Sequence, residues 1–310
     1  MNIMFMGTPE FAIPSLEALY KAGHNVCCVI TQPDKPRGRG HKMAHPPVYD
    51  CAASHGTKVY QPQSLKKEEF EEILLAENPE LIAVVAYGKI LPEYVLDYPK
   101  YGCINVHGSL LPKYRGAAPM QWCIINGEKK TGITTMYMEK GLDTGDMLMK
   151  SEIDILPDDT YETIHDKLNV LGAELLVATV EQLKAGTAVR EKQDDSESCY
   201  SPMIDKQTAR IDWTKNAQDI NNLIRGLYPF PRAYSYLDGK ILKIEKAVAI
   251  SSDSSLNCGT VIDCDSKSFT VQCGENTALT VLKMQIEGKK SMDVSSYFLG
   301  NKIDKGTLLG

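Results

Sequence analysis

The sequence predicts an α/β protein, a doubly wound and mostly parallel sheet followed by a small β-barrel. Three observations carry that expectation. Short apolar runs alternate with helical segments through the first two thirds of the chain, joined mostly by short loops. The run Leu81–Ala86 is apolar throughout and bounded by Pro79 and Gly88, as suits a strand covered on both faces. From Tyr234 onward, short strand-like pieces alternate with turns, and Asp238-Gly239 is a hairpin signal.

Residues 2–6, NIMFM, form the first strand, and a helix follows to about Tyr20. The intervening GTPEF matches neither G-x-G-x-x-G nor a P-loop, so it reads as a tight turn that holds no phosphate. Asn25–Thr31 is a second apolar strand. It leads into QPDKPRGRGHKMAHPP, where Lys35, Arg37, Arg39 and Lys42 lie within eight positions among glycines and prolines. Such a stretch suits neither a regular helix nor a central strand. A loop this long is usually functional or disordered, and a solvated basic loop and a binding loop stand level here. Helices are expected around Val48–Ser54, Glu68–Ala76 and Glu93–Leu96, with a short strand at Lys58–Tyr60.

The chain is organised around Gly102–Pro119, GCINVHGSLLPKYRGAAP. In a strand, alternate side chains share a face, so Asn105 and His107 project to one side and Ile104 and Val106 to the other. Gly108 ends the strand, SLLP turns, and Ala117-Ala118-Pro119 opens a helix that continues over Met120–Ile125. In open parallel sheets, ligands sit past the carboxyl ends of the strands. An alternating strand at Thr131–Met138 precedes GLDTGDML, where Asp143 and Asp146 lie on either side of Gly145. A strand at Met147–Ile155 and a long helix, about Tyr161–Leu183, follow. Asp158 or Asp159 with Thr160 caps that helix and Gly186 closes it; its stripe of Ile164, Leu168, Leu171, Leu175 and Val180 faces the core. The polar residues 190–206 read as a linker, which divides the chain into a domain at 1–189 and a barrel at 207–310. The polar C-terminal tail is expected to be mobile.

Composition narrows the function. Of 310 residues, 43% are hydrophobic and 24% charged, ordinary for a folded soluble protein. The formal net charge of −6 argues against a general nucleic-acid coater. Residues 206–310 nevertheless carry 14 Lys and Arg against 11 Asp and Glu, while the rest carry 20 against 29. A mildly basic C-terminal part on an acidic body allows a polyanion to lie across the second domain. The nine cysteines include no C-x-x-C, and Cys27, Cys28 and Cys103 fall inside apolar runs, as reduced core cysteines of a cytoplasmic protein do. Cys and His do not gather at ligand spacing, so no metal site is expected. No apolar run reaches the length of a membrane span, and MNIMFMGTPEF lacks the plan of a signal peptide.

Asn105, His107 and Asp143 are the candidates for chemistry. Histidine serves as acid or base near neutral pH. An asparagine N–H can hold a developing oxyanion, a contribution of about 3–4 kcal/mol when one such donor is removed. Aspartate can orient or charge the imidazole. No nucleophile accompanies them, since G-S-L-L lacks the G-x-S-x-G elbow. The set therefore suits direct transfer, in which a substrate amine attacks an acyl carbon. Taken singly, a strand-end histidine is commonly structural and D-T-G a common turn. An aspartic-protease site needs two such aspartates, and this chain has one D-T-G.

INVHGSLLPKYRGAAP followed by GLDTGDML resembles the two signatures of the folate-dependent formyltransferases. MGTPEF, TQPDKPRGRG, VVAYGKILP, ARIDW and PRAYSYLDGK extend the resemblance into the C-terminal part, toward the branch that acts on an aminoacyl-tRNA. The resemblance implies a Rossmann-like first domain, an OB-like barrel that binds tRNA, and transfer of the formyl group of 10-formyltetrahydrofolate to the amino group of methionyl-initiator tRNA. It implies catalytic roles for Asn105, His107 and Asp143, and folate contacts from Ser109, Leu110, Leu111 and Pro112, with Ile90 and Leu91 near the pterin. The basic loop with Lys35, Arg37, Arg39 and Lys42 would engage the tRNA acceptor end. His107, held by Asp143, would help deprotonate the amine, and Asn105 and His107 would donate to the oxyanion, without a metal and in a monomer. Rival readings are formyl transfer to a sugar-nucleotide amine, a hydrolase releasing formate, and a nucleotide-binding sensor. The basic loop and the barrel favour RNA.

Overall fold

The computed structural model describes residues 1–37 and 42–310, so Arg39 of the basic loop lies outside the described residues. The chain forms two compact units that interleave along the sequence. The first comprises Met1–Gly116, Thr131–Ile153 and His165–Ser201; the second comprises Ala117–Lys130, Asp154–Ile164 and Pro202–Gly310.

The chain begins with β1 (Asn2–Gly7), α1 (Ile13–Lys21) and β2 (Asn25–Ile30). The short strands β3 (Lys35–Arg37) and β4 (Lys42–Ala44) pair antiparallel in a two-stranded sheet apart from the main one, so the described residues at the two ends of the basic stretch are paired strand, not loop. Then come α2 (Pro47–Ser54), β5 (Val59–Tyr60), α3 (Lys67–Glu77), β6 (Leu81–Val85), α4 (Glu93–Leu96) and β7 (Cys103–His107). After β8 (Arg115–Gly116) and α5 (Pro119–Ile125) run β9 (Lys130–Tyr137), β10 (Met147–Asp154), α6 (Tyr161–Ala185) and β11 (Tyr200–Ser201).

The sheet of the first unit has the order β10-β9-β7-β6-β1-β2-β5. The pairs β7-β6, β6-β1, β1-β2 and β2-β5 are parallel, and β9 joins β7 antiparallel. Every residue of β6 is buried, which is why its sequence is apolar without alternation. Met4, Met6, Ile30, Ile82, Phe70 and Leu74 share one core layer, so the apolar stripe of α3 supplies one cover for the sheet. On β7 the residues flanking Asn105 are buried, and Gly172 in the middle of α6 admits Val106 close to the helix backbone.

The polar stretch after α6, expected to be an exposed connection, is bonded into the first unit. Met147 and Glu191 exchange backbone hydrogen bonds of 2.8 and 2.9 Å, and β11 pairs parallel with β8. No spacing rule shows such a strap, because both partners of each bond are remote in sequence.

The second unit contains α7 (Ala217–Gly226) and the antiparallel sheet built from β12 (Tyr234–Leu237), β13 (Lys240–Ser251), β14 (Val261–Cys264), β15 (Phe269–Gln272), β16 (Thr277–Ile286) and β17 (Met292–Asp293), followed by α8 (Val294–Phe298). Its order is β12-β13-β16-β15-β14, with β17 on β16. Asp238 and Gly239 both have positive φ, 50° and 75°, as a two-residue hairpin turn requires. Asn216 caps α7 by accepting from the Asp219 amide at 2.9 Å. Helix α5 belongs to this unit: Gly226 has no side chain where a Cβ would lie 2.7 Å from the Ile125 side chain, so α7 comes close against α5. The C-terminal tail, expected to be mobile, is tied down. The Leu309 amide donates to the Gly259 carbonyl and the Val261 amide to the Thr307 carbonyl, and the side chains of Ile303 and Leu309 are buried in the same core.

Candidate active site

The strand β7 carries Asn105 and His107 to the carboxyl end of the parallel strands, where α/β sheets place their ligands. Both residues lie on one face, two positions apart. His107 is buried, and its Nε2 lies 2.9 Å from the carbonyl oxygen of Tyr114. A carbonyl has no proton to give, so Nε2 carries one and donates it. In the neutral ring the lone pair is then on Nδ1. That atom lies 3.6 Å from Asp143 Oδ2, with 5% of the histidine and 14% of the aspartate side chain exposed. The carboxylate lies beside the ring nitrogen, and its hydrogen bond comes from elsewhere: the Gly116 amide donates to the same Oδ2 at 2.9 Å.

Both supports come from the turn after β7. Tyr114 holds a positive φ of 61°, which turns its carbonyl back to His107. Gly116 has φ 118°, and a Cβ there would lie 2.6 Å from the Tyr200 ring and 2.8 Å from the Ser201 carbonyl. Glycine is required at that point by both the backbone angle and the approach of β11. The Ser201 hydroxyl donates to the Arg115 carbonyl at 2.9 Å and lies 3.2 Å from the Tyr114 carbonyl. Tyr114 and Gly116 act here through their backbones, so the sequence held no sign of them beyond the glycine itself.

The SLLP turn is pinned from the neighbouring strand. The buried Thr134 on β9 faces His107 across the ladder; its hydroxyl donates to the Ser109 carbonyl at 2.7 Å and accepts from the Leu111 amide at 3.1 Å. The Ser109 hydroxyl donates to the Lys113 carbonyl at 2.6 Å. Leu110 is half-buried against Gly132, Leu111 is buried with Met136 and Met147, and Pro112 follows a cis peptide bond. Ile90 is 85% exposed, whereas Leu91 is 4% exposed and belongs to the core. Of these two, only Ile90 presents its side chain to solvent. Lys35, Arg37 and Lys42 lie on the paired strands β3 and β4.

Two other features lie apart from this centre. A cavity of about 340 Å³ is lined by Lys100, Tyr101, Cys103, Tyr137 and Arg190, at the opposite end of β7 from His107. Cys51 and His55, one helical turn apart, meet Glu17, which is more than thirty positions away in the chain and shares no spacing motif with them. Cys51 Sγ donates to Glu17 Oε1 at 3.3 Å, and His55 Nε2 lies 3.0 Å from the same oxygen. Burial, with the carboxylate beside it, pushes the Cys51 thiol up to about 12, so at neutral pH it is a protonated donor.

Comparison with known proteins gives the family. Residues 1–180 match the formyl transferase family and residues 203–302 the formyl transferase C-terminal domain. Methionyl-tRNA formyltransferases from Caldanaerobacter subterraneus subsp. tengcongensis and Clostridium novyi are 54% and 52% identical to this chain, each over 310 residues and the full length of both partners. The chain belongs to the methionyl-tRNA formyltransferase family. A solved sugar 3N-formyl transferase, crystallised in the presence of dTDP and 5-N-formyl-THF, shares the fold with a TM-score of 0.67 at 19% identity, covering 94% of this chain and 99% of its own. Within this formyltransferase, residues 181–202 lie between the two family matches, and they include the strap bonded beside the Asp143 loop.

Proposed function

We propose that this chain transfers the formyl group of 10-formyltetrahydrofolate to the amino group of methionyl-initiator tRNA, as a monomer in the cytoplasm. The observation that carries the chemistry is the pair of basic atoms, His107 Nδ1 and Asp143 Oδ2, on one side of a strand end that also holds an amide donor, Asn105. The family supplies the acceptor and donor. The α-amino group has a pKa of about 7.7–8.0, so much of it is protonated at neutral pH and attacks only after losing that proton. The neutral amine adds to the formyl carbon, and the carbonyl electrons move onto oxygen. Asn105 donates to that oxyanion, and His107 Nδ1 takes the proton released by the nitrogen. The imidazolium then holds two donors, Nε2–H to the Tyr114 carbonyl and Nδ1–H toward Asp143. The proton passes to the folate nitrogen, which leaves as the C–N bond to the formyl carbon breaks. Holding amine and formyl carbon in contact supplies about 7–11 kcal/mol of the barrier reduction.

The SLLP turn and Ile90 are the folate contacts in this reading. The basic stretch with Lys35, Arg37, Arg39 and Lys42, together with the C-terminal unit, would follow the tRNA backbone, whose phosphates attract cations. The test is incubation with formyl-labelled folate in the presence of methionyl-tRNA, a dTDP-amino sugar, or buffer alone. Label is expected on the tRNA. Label on the sugar, or released as formate in buffer alone at the same rate, would replace the proposal with one of its rivals.

A further inference from the structure

Asp143 sits in the left-handed region, φ 53°, which is uncommon for any residue but glycine. Its carboxylate accepts from the Gly116 amide, while the 3.6 Å separation from His107 Nδ1 is too long for a hydrogen bond that would lock the pair. The main-chain geometry of the Asp143 loop must therefore be set from outside. The outside group is Gln193. It is 6% exposed, and its amide nitrogen donates to the carbonyls of both Asp143 and Gly145 at 2.8 Å. Its amide oxygen accepts twice from the Arg115 guanidinium, from Nε at 3.0 Å and Nη2 at 2.8 Å. Arg115 Nη2 also donates to Asp195 at 2.8 Å. Arg115 precedes Gly116, so one side chain ties the loop bearing Asp143 to the strand bearing its amide donor. All four hydrogen-bonding positions of this buried amide are used, with the polarity that only glutamine or asparagine supplies.

We propose that Gln193 is the positioning residue for Asp143, acting through the loop backbone and not on substrate. This assignment rests on the proposed function for its kinetic readout. A displacement of about 1 Å in a reacting group is worth about 10²-fold in rate. Gln193→Ala is therefore expected to lower kcat by about 10–100-fold, with KM for the folate within about threefold of the parent. Gln193→Glu keeps the acceptor for Arg115 but sets a carboxylate oxygen against two carbonyl oxygens, so it should be as impaired as the alanine variant. Both losses should vanish in an Asp143→Asn background, since groups acting as a unit are not additive. Amide exchange across residues 141–146 should rise in Gln193→Ala, a readout that needs no activity.

The assignment is overturned if either variant keeps more than half the parental turnover, if the loss is equally large beside Asp143→Asn, if exchange at 141–146 is unchanged, or if both variants fail to fold. An active parent with an unimpaired Gln193→Ala sinks the clamp alone. A parent that places no formyl group on methionyl-tRNA sinks the functional reading, and the exchange measurement still judges the clamp.

Discussion

Replacing Asp143 by asparagine separates its charge from its structural duty. In Asp143→Asn the side-chain amide oxygen would still accept from the Gly116 amide, which now bonds Asp143 Oδ2 at 2.9 Å. The lost quantity is the attraction between carboxylate and imidazolium. At the observed 3.6 Å separation, with an effective dielectric of about 20, that attraction is about 4–5 kcal/mol. Because the neutral ring gains none of it, the whole difference falls on the step that protonates His107 Nδ1. Each 1.36 kcal/mol is tenfold, so kcat should fall by about a thousandfold. Folate and tRNA affinities should stay within about threefold, since the loop stays docked. The assay is single-turnover transfer of labelled formyl to methionyl-tRNA, with folate binding measured separately by titration. Turnover within threefold of the parent would remove the carboxylate charge from the mechanism, and an equal loss in binding would show that the loop had moved instead.

Thr134→Val should leave the Ser109 carbonyl and Leu111 amide without their present partner, costing about 1–3 kcal/mol per group in thermal unfolding and raising KM for folate more than it lowers kcat. An unchanged KM would detach the SLLP turn from folate binding. His24 is buried, with Nε2 3.1 Å from Glu181 Oε1 but without hydrogen-bond alignment; burial holds its pKa below the ordinary value, against the pull of the carboxylate. The unfolded chain therefore binds a proton that the folded chain resists, and stability is lost as pH falls through about 6.5 toward the lowered folded value. The melting temperature should decline from about pH 7.5 to about pH 5.5, and His24→Gln should flatten that decline; an identical slope would refute it. Glu245 is buried on β13, where it pairs with Arg232, accepts from Ser291 at 2.7 Å and lies 3.7 Å from Lys283. Removing one partner of a buried pair strands the other, and with Arg232 partly open to water Glu245→Ala should cost about 3 kcal/mol in chemical denaturation. A loss below about 0.5 kcal/mol would class it with surface pairs.

The residues themselves determined whatever depends on near neighbours. The apolar block Leu81–Val85 had to be a strand buried on both faces, and alternation put Asn105 and His107 on one side of β7. Asp238-Gly239 could only turn tightly, because both positions need positive φ. Tertiary structure alone decided what depends on contacts between residues far apart in the chain. Asp143 reaches His107 across 36 positions, Gln193 holds the Asp143 loop across 50, and Thr307 and Leu309 bind the second unit's chain around Gly259 and Val261. Gln193 binds backbone carbonyls, and the Thr307 and Leu309 ties join backbone carbonyls and amides, groups that nearly every residue possesses. Side-chain patterns therefore carry no trace of them, and a polar stretch such as residues 190–201 looks like a linker until its partners are in place.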